Sequence, residues 1–220
     1  MKVMLDNTIR SHAEFMQHVQ RNEVVVWGNS EQTIPIQGMM RKSQDNNPAY
    51  QMQKDTLFTV GRLIREDRIQ AFEYSEIRFE WWRARKRVAY GNALNGCVIH
   101  DCSPALDRTK FRNGSVFDVI KKMGKKDMRR EKEINELGQV PFFTWFISLT
   151  PEDIKAIISE ASYINLTEFE IESFSNLDEY RIICEEAKSP EHYPDAFHLW
   201  TTKRNNIEIL LSLGSGPIKV

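Results

Sequence analysis

MKVMLDNTIRSHAEFMQHVQR, residues 1–21, is the stretch that sets the fold class. Residues 2–5 form a short apolar run that leaves through Asp6 and Asn7. Ile9, Ala13, Phe15, Met16 and Val19 then fall roughly on one side, which predicts a helix over residues 8–21. The strand-then-helix step recurs downstream, with helical spacing over 50–66, a strand over 69–74 and a helix over 76–90 rich in aromatics and arginine. At Thr150-Pro151-Glu152-Asp153 a hydroxyl, a proline and two acids start a helix that runs to about residue 161. A strand over 163–166, a helix over 177–188, a helix opening at Pro194 and Asp195 and a strand over 208–213 complete the pattern. Strands alternating with helices predict an α/β fold, a three-layer α/β/α arrangement around a central, mostly parallel sheet.

A chain of 220 residues is long enough for one domain with insertions. Two stretches lie outside the alternating pattern. Residues 22–48 carry a β-branched run and polar turn residues, which predicts a small hairpin insertion, and residues 91–139 are irregular and basic, a second insertion. Hydrophobic residues at 41% with 28% charged exclude a disordered or collagen-like chain. The longest uncharged stretch, residues 137–151, is shorter than the ~20 residues that a membrane span needs. An acid at position 6 interrupts any secretory leader, and three cysteines, Cys97, Cys102 and Cys184, suit free thiols in a reducing compartment, so a cytoplasmic protein is expected.

Thirty basic and 31 acidic side chains give a net charge of −1, so bulk charge does not draw the protein to a polyanion. Its distribution is uneven. Residues 108–132 hold ten Lys or Arg against three acids, and residues 150–191 hold eleven acids against three bases, so the surface is expected to be dipolar. Lys121, Lys122, Lys125, Lys126, Arg129 and Arg130 form either a solvated helix or loop, or a patch for the phosphates of a nucleic acid.

In an open α/β sheet, ligands bind outside the carboxyl ends of the strands, where loops and helix N-termini converge. Asp6 falls at such an end, Glu80 lies in the helix after the second strand, and Asp195 opens the helix before the last one. Carboxylates gathered there need a neutralising cation, and hard oxygen donors suit Mg²⁺ or Mn²⁺. The alternative is structural, with Asp6 an N-cap, Asp195 a helix-start acid and Glu80 a surface residue.

MKVMLDNTIRSHA and YPDAFHLWTTKRNNIEILLSL resemble the first strand and the closing helix-strand step of PIN domains. AFEYSEIRFEWWRA resembles the family's strand followed by an acid-bearing helix, with Glu80 the best match and Glu76 or Glu73 as substitutes. These segments cover about a third of the chain. The resemblance implies a Mg²⁺- or Mn²⁺-dependent ribonuclease in which Asp6, Glu80 and Asp195 hold the ion, with Asn7, Thr8 and Ser212 as polar support. A catalytically impaired module that binds nucleic acid or a protein is the alternative. Single-stranded RNA is the expected partner, with a second copy of the chain or an inhibitory protein as further candidates. The family usually places another acid two residues after the Thr or Ser of the last strand; here Ser212-Leu213 is followed by Gly214. Asp178 and Asp101 are conceivable replacements.

Cys97, His100 and Cys102 lack the second ligand pair of a structural zinc site, so a turn with a buried thiol is the favoured reading. Trp81, Trp82 and Tyr90 invite base stacking, although adjacent tryptophans on a helix point about 100° apart and suit a core and its boundary better. His198 is expected to pack or cap rather than to catalyse.

Overall fold

The computed structural model describes residues 1–83, 91–111 and 139–213. Among the described residues the chain divides into two compact units, one built from residues 1–83, 91–101 and 211–213, the other from residues 102–111 and 139–210.

The first unit opens with β1 (Lys2–Leu5), α1 (Asn7–His12), a hairpin of β2 (Met16–Trp27) and β3 (Ser30–Arg41), α2 (Pro48–Arg65), β4 (Gln70–Glu73), α3 (Ser75–Arg83) and β5 (Ile99–Asp101). Val3, Met4 and Leu5 are all buried, so β1 is covered on both faces, as an interior strand of a parallel sheet is. β1 runs parallel to β4, with Val3 opposite Ala71, and β4 runs parallel to β5, with Phe72 opposite His100. The strand Ile209–Leu211 lies on the other side of β1, which gives the order β5-β4-β1 followed by that strand. The mixed α/β class with a four-stranded sheet therefore stands.

Helix α2 starts where Asn47 accepts from the Ala49 and Tyr50 amides and Pro48 occupies the first turn. Its Leu57, Gly61 and Ile64 recur at helical spacing and are buried, and Leu57 and Ile64 join Val3, Leu5, Ile9 and Ala71 in one core cluster. Gly61 is there because a Cβ would collide with the backbone carbonyl of Ala93. In an open helix Gly→Ala stabilises by about 1 kcal/mol. Here the sign reverses: Gly61→Ala is expected to cost about 1–3 kcal/mol by overpacking against main chain, read by urea unfolding, and an unchanged midpoint would show that the 91–97 loop yields.

The second unit contains helix α4 (residues 139–147), α5 (Pro151–Ser159), α6 (Ala161–Ile164), α7 (Glu168–Ser175), α8 (Leu177–Glu185) and α9 (Tyr193–Arg204), after which β6 (Ile209–Leu211) leads back to the sheet. Thr150 and Thr167 each begin a helix with a reciprocal capping box, to Asp153 and Glu170. Phe146 lies among Phe142, Phe174, Tyr180 and Trp200, all nearly or fully buried. Buried Glu170 is compensated by Lys110 at 2.6 Å and by the Asp107 amide at 2.8 Å. Arg181 closes α4, donating to the carbonyls of Ile147 and Leu149.

Several elements differ from the sequence expectation. The helix expected over 8–21 ends at His12. The Phe15 and Met16 amides bond the Gly91 carbonyl, and the chain from Met16 enters a hairpin of twelve cross-strand pairs. The hairpin expected within 22–48 therefore begins six residues earlier and closes at Arg41. The strand expected over 163–166 is helix α6, closed by Asn165 in the left-handed region (φ +57°), with the Leu166 amide bonded to the Ala161 carbonyl. Within the stretch read as a basic insertion, Ile99–Asp101 is a strand of the main sheet. Lys121, Lys122, Lys125, Lys126, Arg129, Arg130, Tyr90 and Gly214 lie outside the described residues. Among the described residues, no helix is long and apolar enough to cross a membrane.

Candidate functional site

Asp6 follows the last residue of β1, a strand whose neighbours β4 and β6 are reached by chain running to opposite sides. That reversal is the topological switch point at which open α/β sheets form a ligand crevice. The Asp6 amide donates to the Leu211 carbonyl (3.0 Å), and the residue after Leu211 meets the residues after Leu5, so the carboxyl ends of β1 and the closing strand coincide.

The Asp6 carboxylate is held on both oxygens. Oδ1 accepts from the Asn7 amide at 2.7 Å, which caps α1. Oδ2 accepts from the Thr8 hydroxyl at 2.7 Å and from the Ser212 hydroxyl at 2.8 Å. Thr8 Oγ1 in turn accepts from the Leu213 amide at 3.0 Å, and the two hydroxyl oxygens lie 3.1 Å apart. When both hydroxyl protons go to Asp6, Ser212 Oγ keeps an acceptor lone pair.

A Glu80 carboxylate oxygen lies within 4.8 Å of an Asp6 carboxylate oxygen. Both residues are half-buried, and two such charges repel by roughly 3 kcal/mol at the effective dielectric of a protein surface. The three polar residues that the sequence attached to Asp6 thus meet it: Asn7 through its main chain, Thr8 and Ser212 through their hydroxyls.

Two further acids at this edge, Glu73 and Asp101, are committed to arginines. Glu73, buried at the end of β4, is flanked by Arg10 and by Arg78, the latter at 3.3 Å. Arg78 also pairs with Asp101 at the end of β5. Asp101, one candidate for the missing acid, therefore sits against a guanidinium. Asp178, the other, is an exposed residue of α8 paired with Arg181 at 2.6 Å. Glu76 is buried in the first turn of α3. Asp195 lies in the first turn of α9 in the second unit, 62% exposed, with His192 at 3.7 Å. His198 is buried on the same helix.

The sequence reading missed Arg10 and Arg78. Arg10 lies one turn beyond Asp6, and its guanidinium stacks over the Trp81 ring at 4.3 Å. Trp81 therefore packs against a cation on its own unit. The spacing Asp6–Arg10 was visible, but only the register of β4 beside β1 brings Glu73 to it.

The Cys97 and Cys184 thiols are not activated. Cys97 donates to the Gly61 carbonyl at 3.2 Å and lies 3.4 Å from Arg65, and burial pushes its titration up, which opposes a zinc thiolate. Burial pushes the Cys184 thiol up to about 11. Alkylation of Cys184 at pH 8 is expected to be at least about tenfold slower than that of an exposed thiol and to reach the ordinary rate on unfolding, as peptide-level mass spectrometry would read. Equal rates in native and unfolded protein would contradict that burial.

A cavity of about 250 Å³ lies at the hairpin base between α1 and α2. Lys42 is 3.7 Å from Glu14 there, and Lys54 is 2.9 Å from Asp45. Its lysines are thus already balanced by acids.

Comparison of the chain with family models, with curated proteins and with solved structures finds no match.

Proposed function

We propose that the protein is a divalent-metal-dependent ribonuclease with a PIN-like three-layer α/β/α core, acting on single-stranded RNA. The observation that carries this reading is the approach of the Asp6 and Glu80 carboxylates to within 4.8 Å at the carboxyl edge of the sheet. Asp6, Glu80 and Ser212 are oxygen donors of the first unit, and oxygen donors suit Mg²⁺ or Mn²⁺. Asp6 and Glu80 would hold the ion.

Bound there, the ion supplies activation of a water and neutralisation of charge on the phosphodiester. The chain's own groups prepare the site. Thr8 and Ser212 fix the rotamer of Asp6 through Oδ2, and the Asn7 amide fixes Oδ1, so the carboxylate is oriented before any ligand arrives. The Arg10–Glu73–Arg78–Asp101 chain of ion pairs neutralises neighbouring charge and keeps those arginines from pairing with Asp6.

The test is incubation of the full chain with single-stranded RNA, with and without Mn²⁺, beside Asp6→Asn, Glu80→Gln and Asp195→Asn variants. Metal-dependent cleavage that falls in the Asp6 and Glu80 variants supports the reading, and Asp195→Asn reports on the third acid named by the sequence. RNA binding without cleavage would instead support the impaired module, for which the glycine at position 214 argues.

A further inference from the structure

The β2–β3 hairpin pairs with no other strand among the described residues. Two strands alone are marginal in water, and three or more are needed for a stable sheet. Seven of the fifteen exposed large apolar side chains among the described residues sit on this arm, Trp27 at 83% exposure among them, so it carries more uncovered apolar surface than its length warrants.

Its two outer edges are not equivalent. Trp27 faces Ser30 across the two-residue loop Gly28–Asn29, with Gly28 at φ +62° as the first position of a type II′ turn requires. A two-residue loop makes the flanking pair hydrogen-bonded, and alternation along an antiparallel ladder then makes Asn22–Pro35 a non-hydrogen-bonded pair. The Pro35 nitrogen therefore lies on the outer edge of β3, where it has no proton to donate, and blunts that edge. The outer edge of β2 contains no proline: the amides and carbonyls of His18, Gln20, Asn22, Val24 and Val26 point outward along it.

Charge selects the strand that adds there. Arg21 and Glu23 carry the formal charges of β2 and pair with each other along the same face. In a two-fold antiparallel pairing, outward-facing residues must meet outward-facing residues, so the axis passes through one residue. An axis at Arg21 or Glu23 sets like charges against each other. An axis at Gln20 or Val24 sets both charges opposite uncharged side chains. An axis at Asn22 alone sets Arg21 of each copy opposite Glu23 of the other, and it also sets Val19 opposite Val25 twice.

We propose that the protein forms a homodimer by antiparallel pairing of β2 with β2 of a second copy about an axis through Asn22, giving a four-stranded sheet in the order β3-β2-β2-β3. The interface is isologous, and main-chain bonds supply affinity while the two Arg–Glu pairs fix the register. This is independent of the nuclease reading.

Analytical ultracentrifugation of the full chain up to about 100 µM tests it. The wild type is expected to dimerise, and Arg21→Glu and Glu23→Arg are each expected to weaken the dimer at least about tenfold by creating two like-charge pairs. An equimolar mixture of the two variants restores association as a heterodimer, because both cross-pairs are then complementary, and the double variant dimerises like the wild type. Gln20→Pro, which removes an outward amide, leaves a monomer. Circular dichroism of each variant confirms that the hairpin is intact. A wild type that stays monomeric overturns the proposal, as do variants that fail to associate when mixed. It is also overturned by association unmoved by the charge swaps, whether between copies or with RNA or another protein on the arm.

Discussion

Under the proposed ribonuclease function, Asp6→Asn is expected to lower Mn²⁺-dependent RNA cleavage at least about a hundredfold while leaving the fold intact. The substitution keeps an acceptor for the Asn7 amide, so α1 retains its cap, and it keeps the volume of the side chain between Thr8 and Ser212. What it removes is the negative charge that would hold the proposed ion beside Glu80. The two hydroxyls that now donate to Oδ2 would also face an amide unable to satisfy both when its NH₂ turns toward them. Ser212→Ala should cost less, roughly tenfold, because it loosens the orientation of Asp6 and leaves the charge in place. Mn²⁺ affinity measured by calorimetry must fall in parallel with activity. Cleavage by Asp6→Asn at the wild-type rate, with an unchanged circular dichroism spectrum, would remove Asp6 from the chemistry.

Phe146→Ala is expected to destabilise the protein by about 3–5 kcal/mol, against a total stability of about 5–15 kcal/mol for an ordinary domain. Phe146 is fully buried, and its ring lies 5.7–6.0 Å from four other aromatic rings contributed by α4, α7, α8 and α9. The hole left by its ring cannot be filled by one neighbour, since each of those rings is fixed by a different helix. Urea denaturation followed by tryptophan fluorescence reads the loss directly. A change below about 1 kcal/mol would mean that the second unit collapses around the gap.

The parts legible in the sequence are those decided locally. β1 and its exit at Asp6 show up as a short apolar run followed by residues that suit a cap, and the Thr150 capping box fixes the start of α5 within one residue. Where the outcome depends on distant partners, local reading fails. Phe15, Met16 and Val19 mimic a helical stripe, but Gly91 and the twelve residues of β3 supply hydrogen bonds that a helix there would forgo. β5 is three residues long and has no pattern of its own; it exists because Ala71, Phe72 and Glu73 offer a free edge. The strand read over 163–166 has β-forming side chains, yet Asn165 accepts the left-handed conformation that ends α6. Among Glu73, Glu76 and Glu80 the sequence ranked Glu80 first by resemblance, while the physical reason to set Glu73 aside, two arginines from α1 and α3, required the sheet register.

The hydroxyl of Ser212 that braces Asp6 stands 206 residues away along the chain. At about 5–20 residues per second, a ribosome spends roughly 10–40 s between placing the first of these groups and the second. During that interval the nascent chain carries its acid without the brace, and the sheet lacks its fourth strand. Translation thus sets the order of assembly: the crevice beside β1 is finished only when the last strand arrives.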